Sequence, residues 1–142
     1  MDYETYRKAY FVEPVPGPRA QFTGAFGGVL YYEDYEAAVS YYTAGLGPPG
    51  YVEGDSTRGW PIGAGWLTLL RGKSGSPTNV ELTFEVATPA EAESLQQAFM
   101  AAGGQGPAPS DEFIYVPLRA CFVQDPWGVD MMIVSPLPIP GT

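Results

Sequence analysis

The sequence contains no histidine and a single cysteine, Cys121. The first absence removes the commonest general base and the commonest metal ligand. The second excludes an internal disulfide, and the two together argue against a structural zinc site. Basic residues are scarce as well. Seven Lys and Arg stand against 16 Asp and Glu, a net charge of −9. Such a surface repels phosphate backbones and attracts cations, so no nucleic-acid partner is expected. No apolar run approaches the roughly 18–20 residues of a membrane span, so no membrane partner is expected either. The stretch from Met1 to Tyr10 lacks the basic-then-apolar layout of a secretion signal, which points to the cytoplasm. No serine or cysteine nucleophile has a histidine to activate it, and no phosphate-cradling loop of the Walker type is present.

What is present reads as a pattern written twice. The chain of 142 residues fits one compact domain made of two small modules. Residues 1–21 form an arm. Tyr3, Tyr6 and Tyr10 fall at helical spacing, and Pro14, Pro16 and Pro18 then extend the chain. The first module, 22–75, opens with a strand over 25–32. Asp34 is placed to cap a helix whose buried stripe is Tyr35, Ala38, Val39, Tyr42 and Leu46. Gly45 and Gly47 read as its stop. Two or three strands follow between Gly50 and Leu70, then a polar connector from Arg71 to Thr78.

The second module, 78–135, repeats the order. Asn79 to Val86 alternates, with Leu82, Phe84 and Val86 on one face and Glu81, Thr83 and Glu85 on the other. Thr88-Pro89-Ala90-Glu91 is a capping box with proline at the first helical position. The stripe Ala92, Leu95, Ala98, Phe99 and Ala102 follows, closed by Gly103-Gly104. Asp125-Pro126-Trp127-Gly128 then joins two apolar runs as a hairpin. Pro136, Pro138 and Pro140 mark a non-pairing tail over 136–142. Gly27 matches Glu81 and Tyr31 matches Glu85, each 54 positions apart (81 − 27 and 85 − 31). The expected fold is α+β: tandem βαβββ modules, helices outside and the free sheet faces curled around a shared cavity.

This order, with Val29 to Asp34, Tyr41 to Gly47, Leu82 to Val86 and the closing Asp125-Pro-Trp-Gly-Val, resembles the vicinal oxygen chelate superfamily. That superfamily includes glyoxalase I, extradiol dioxygenases and the fosfomycin- and bleomycin-resistance proteins. The resemblance implies four metal-ligand positions, which fall here on Gly27, Thr68, Glu81 and Met132. Glycine has no donor atom and Met is a soft ligand. One carboxylate and one hydroxyl cannot hold a hard divalent cation without several waters. No metal and no cofactor is therefore expected.

Period-two alternation from Glu81 places Thr83 and Glu85 in the cavity, with Val29, Tyr31, Trp66, Thr68, Asp130, Met132 and Val134. The expected ligand-binding residues are Tyr31, Trp66, Thr68, Glu81, Glu85, Asp130 and Met132. They suit a small aromatic or cationic molecule. Three functions follow. The first is metal-independent small-molecule binding of the bleomycin-resistance kind. The second is a lyase, isomerase or dioxygenase-type enzyme, with Glu81 as base if it is desolvated, or with another metal site. The third is a dimeric structural or regulatory protein with a vestigial pocket. The resemblance also implies a homodimer, and the arm over 1–21 is expected to lie across the partner.

Overall fold

The structure, a computed structural model, describes residues 1–72 and 75–139. Module one runs Gly28–Tyr32 (β1), Tyr35–Leu46 (α2), Tyr51–Glu53 (β2), Thr57–Ile62 (β3) and Gly65–Arg71 (β4), after an N-terminal helix Tyr3–Tyr10 (α1). Module two runs Glu81–Glu85 (β5), Pro89–Ala101 (α3), Ser110–Ile114 (β6), Val116–Gln124 (β7) and Asp130–Pro136 (β8). The sheets are ordered β1-β4-β3-β2 and β5-β8-β7-β6, four strands each with the same topology. In each, the first strand runs parallel to the last and the remaining pairs are antiparallel. The tandem βαβββ architecture expected from the sequence is therefore formed. Of the connector over 71–78, Arg71 is the last residue of β4, and residues 73–74 lie outside the described residues, as does Pro140.

One core serves both modules. α2 packs on β1 and β4, α3 packs on β7 and β8, and the two helices pack on each other. Leu30, Tyr32, Tyr42, Trp60, Leu69, Phe84, Phe99, Met131 and Ile133 are buried between them. The helix contact depends on a missing side chain. A Cβ on Gly45 would collide with the Phe99 ring, which is fully buried against Tyr41 and Tyr42. Gly45 is therefore a packing residue inside α2 and not part of its stop. Gly47, at φ +92°, ends that helix.

Other local expectations are corrected. Asp34 precedes α2, but its side chain makes no capping hydrogen bond. Thr88 does cap α3, its hydroxyl accepting from the Glu91 amide at 3.2 Å. Strand β1 begins at Gly28 and not at Ala25. Pro136 is not part of a free tail, because it pairs with Leu118 at the end of β8, and the Leu137 amide donates to the Pro117 carbonyl at 2.8 Å.

The start of the arm is the short helix that its tyrosine spacing suggests. α1 docks on its own chain, at the turn between β6 and β7. Tyr115 there holds a left-handed φ of +66°, a conformation that costs a non-glycine residue energy. Two tyrosines of α1 satisfy its backbone. The Tyr115 amide donates to the Tyr6 hydroxyl at 2.7 Å, and the Tyr3 hydroxyl donates to the Tyr115 carbonyl at 3.1 Å. Tyr3 and Tyr6 also pack on Phe113. α1 is thus an intrachain clamp on the β6–β7 turn.

Candidate functional site

The candidate site is the sheet surface that faces away from α2 and α3. On β1, Leu30 and Tyr32 are buried while Val29 and Tyr31 are 53% and 57% exposed. On β4, Leu67 and Leu69 are buried, Thr68 is half-buried and Trp66 is 45% exposed. The Trp66 indole has a shaped seat. A Cβ on Gly59 would lie 3.3 Å from it, and one on Gly50 would lie 3.5 Å away. Tyr51 meets it edge-on with ring centroids 6.4 Å apart. An indole held between two glycines and a tyrosine, with one face left to water, is a stacking platform.

Module two presents a different surface. Glu81, Thr83 and Glu85 point outward from β5, as the alternation predicts. Met132 and Val134 of β8 join Leu118 and Ala120 in a second apolar cluster, with Ile114, Val116 and Phe122 packed around it. Asp130 stands opposite Glu81 in the parallel pairing of β5 and β8. It accepts a hydrogen bond from the Gln124 side-chain amide at 3.1 Å.

Two open clefts lie on this surface. A groove of about 120 Å³ follows the seam between the modules and is lined by Phe26, Gly27, Gly28, Trp66, Glu81 and Thr83, among others. A cleft of about 430 Å³ has Glu81, Gln105, Phe122, Gln124 and Asp130 in its wall. Glu81 belongs to both. Of the predicted site, then, Trp66 and Glu81 share the seam groove, and Glu81 and Asp130 share the other cleft. Tyr31, Thr68, Glu85 and Met132 share the face but line neither cleft. Neither cleft is the enclosed shared cavity expected from the sequence.

Comparison with solved structures places this architecture. A glyoxalase/bleomycin resistance protein from Albidiferax ferrireducens superposes with a TM-score of 0.65 at 19% identity, covering 78% of this chain and 97% of its own. A lactoylglutathione lyase from Agrobacterium tumefaciens gives 0.63 at 15% identity, covering 81% and 95%. A fosfomycin resistance protein from Mesorhizobium loti gives 0.62 at 12% identity, covering 82% and 95%. The chain has the glyoxalase/bleomycin-resistance fold. No family's sequence profile matches it, and no curated protein matches it.

The glyoxalase/bleomycin-resistance fold raises the question of a metal, and the donor set answers it poorly. A Cβ at Gly27 would lie 2.7 Å from the Trp66 carbonyl, so no larger ligand fits there. Met132 is only 7% exposed within the second apolar cluster. Glu81 is the one carboxylate of the four positions. Among the described residues no three His, Cys, Asp or Glu side chains converge to hold a metal ion. These residues do not fit a hard divalent cation. The Glu81 side chain is exposed, so the burial on which its use as a base depends is not found.

The most polar buried cluster lies elsewhere and was not anticipated. Asp125 is buried at the β7–β8 turn. One carboxylate oxygen accepts from the Trp127 and Val129 amides at 2.9 and 2.8 Å. The other accepts from the Tyr32 and Tyr42 hydroxyls at 2.6 and 3.1 Å, and these hydroxyls are 3.0 Å apart. Burial, and then the neighbouring Tyr42 and Asp125, hold the Tyr32 hydroxyl far above the usual tyrosine range. Burial and Asp125 do the same to Tyr42. The cluster latches the last hairpin to β1 and α2. Two tyrosines on predicted buried positions were its only sequence signal, since a buried hydroxyl needs a partner. Cys121 is buried too, and burial pushes its thiol up, away from nucleophilic use.

Proposed function

We propose that this protein binds a small aromatic cation on the free sheet face, without a metal. One observation carries the reading: the Trp66 platform and the Glu81 carboxylate line the same groove. Asp130 adds a second carboxylate reached from Glu81. A planar cation stacks on the indole while its charge sits near the acids, and the two contacts reinforce each other. The bleomycin-resistance kind of sequestration fits this chemistry, since stacking and charge are what the groove offers.

The test uses N-methylquinolinium and neutral quinoline as probes of one shape, titrated calorimetrically at neutral pH. Trp66→Ala is expected to weaken both, on the order of tenfold for the cation. Glu81→Gln is expected to weaken the cation by roughly three- to tenfold and quinoline by less than twofold. Binding of the cation falls as salt rises. Equal affinity for both probes, unmoved by Glu81→Gln, overturns the reading.

The same reading includes a homodimer and the cytoplasm as its setting. β2 and β6 are the outer edge strands of their sheets, and all three residues of β2 are exposed. Pairing along such an edge covers its free backbone groups. Light scattering that finds only monomer at micromolar concentration excludes the dimer.

A further inference from the structure

The segment joining α1 to β1 has no regular structure, and every residue from 12 to 27 is exposed. It is held at both ends. α1 is fixed to the β6–β7 turn through Tyr3 and Tyr6, and Gly28 lies beside Leu82 at the seam. Two of its residues carry the chemistry the groove is proposed to take. Phe26 already stands in the groove wall beside Trp66 and Glu81, yet its ring is 90% exposed. Arg19 is a cation without a counter-ion. Among the described residues Arg7, Lys8, Arg71 and Arg119 pair with carboxylates, and Arg58 donates to the Gly54 and Thr57 carbonyls, whereas Arg19 has no partner. The carboxylates of the site are the complement. Among the described residues Glu81 pairs with no cation, and Asp130 takes only the neutral Gln124 amide.

Reach permits the match. Arg19 lies nine positions before Gly28 (28 − 19), up to about 30 Å of extended chain. Gly24, at φ +91°, supplies a bend between Phe22 and Phe26. Burial of the Phe26 ring and pairing of Arg19 favour closure, and the freedom lost on ordering the segment opposes it. A ligand displaces the strap only where closure is marginal.

We propose that residues 19–26 are a strap that closes over the site within one chain, Phe26 on Trp66 and Arg19 between Glu81 and Asp130. A ligand then binds by displacing it. This is regulation of the face proposed above and rests on that reading.

The test uses the full chain. Arg19→Gln is expected to tighten N-methylquinolinium binding about three- to tenfold by removing the competitor. Lys8→Gln, the same change of charge on α1, is expected to stay within twofold. Ala20→Cys with Thr83→Cys, which leaves Arg19, Glu81 and Asp130 in place, is treated with a short bismaleimide and is expected to cross-link within one chain, while either single variant does not. A cross-link between chains, or none, overturns the strap. Probe binding that Arg19→Gln leaves unchanged overturns the strap while the ligand site stands. An intrachain cross-link in a protein that never binds the probe keeps the strap and sinks the ligand reading.

Discussion

The two modules share one topology and present opposite surfaces. Module one turns Val29, Tyr31 and Trp66 to solvent, and module two covers Met132 and Val134 with its own neighbours and rims them with acids. They also solve their common boundary unequally. Positions 54 apart are equivalent, and two such pairs meet at the boundary. Gly28 lies against Leu82 (82 − 28) and Gly45 against Phe99 (99 − 45). A duplicated unit packed on itself brings equivalent positions face to face, so identical side chains there would compete for one space. Each pair here sets glycine in module one against a large residue in module two. The duplication thus keeps the frame symmetric and lets the contents differ, which also yields a site with an aromatic half and an acidic half.

The sharpest way to break this comparison is at the two β-turns. In module two the turn carries Asp125, and in module one the equivalent turn is only Gly63-Ala64 between β3 and β4. Asp125→Ala strands four donors inside the protein and is expected to cost about 3–5 kcal/mol in urea unfolding. Ala64→Asp, the corresponding site in module one, is expected to stay within about 0.5 kcal/mol. Comparable losses at both turns would deny the latch its special role.

The boundary pairs come next. Gly45→Ala gains helix propensity yet is expected to lose about 1–3 kcal/mol through collision with Phe99. Adding Phe99→Leu should recover part of that loss, and a strictly additive double variant would argue against the contact. Alkaline pH gives a smaller effect. Tyr32, Tyr41 and Tyr42 are held above their ordinary value near 10.0, chiefly by burial. The unfolded chain ionises first, so their contribution is intact below about pH 10 and drains away above it. Each should lose on the order of 1 kcal/mol by about pH 11, and Tyr32→Phe should flatten the slope of stability against pH. Smallest of all are the surface staples. Arg71 ties Glu36 of α2 to sheet one, and Arg119 ties Glu93 of α3 to sheet two. Replacing either arginine by Gln should lower the urea midpoint least of all these changes, with both losses shrinking in salt.

What could be read in the sequence was whatever depends on near neighbours. The alternation of β5, the cap at Thr88, the helix limits near 34–46 and 89–102 and the hairpin at Asp125-Pro-Trp-Gly are all local, and all are formed. What escaped depends on distance. Asp125 read as a turn former, because its tyrosine partners lie 83 and 93 positions away. Gln96 falls outside the apolar stripe read for α3, yet it is buried and donates to the Pro107 and Phe122 carbonyls. Gly45 looked like a stop because the residue that needs its bareness is on the other helix. Of the site, the face was legible from period two, whereas which of its residues share a cleft follows from how the sheets curl. Glu81 shares one cleft with Trp66 and another with Asp130, and Glu85 and Met132 line neither.

The latch has a consequence for biosynthesis. Tyr32 is made 93 residues before the aspartate that accepts its hydrogen bond. At ordinary translation speeds of about 5–20 residues per second, that is a wait of roughly 5–20 s. During it, β1 and α2 carry two hydroxyls that have no acceptor, inside a core whose other half does not yet exist. Module one is therefore expected to stay soft on the ribosome until the final hairpin emerges. Nascent chains halted just before residue 125 should be cut readily by protease, and chains halted past the tunnel-cleared β8 should resist. If the shorter chains resist equally, module one is a self-sufficient unit and the latch closes on something already folded.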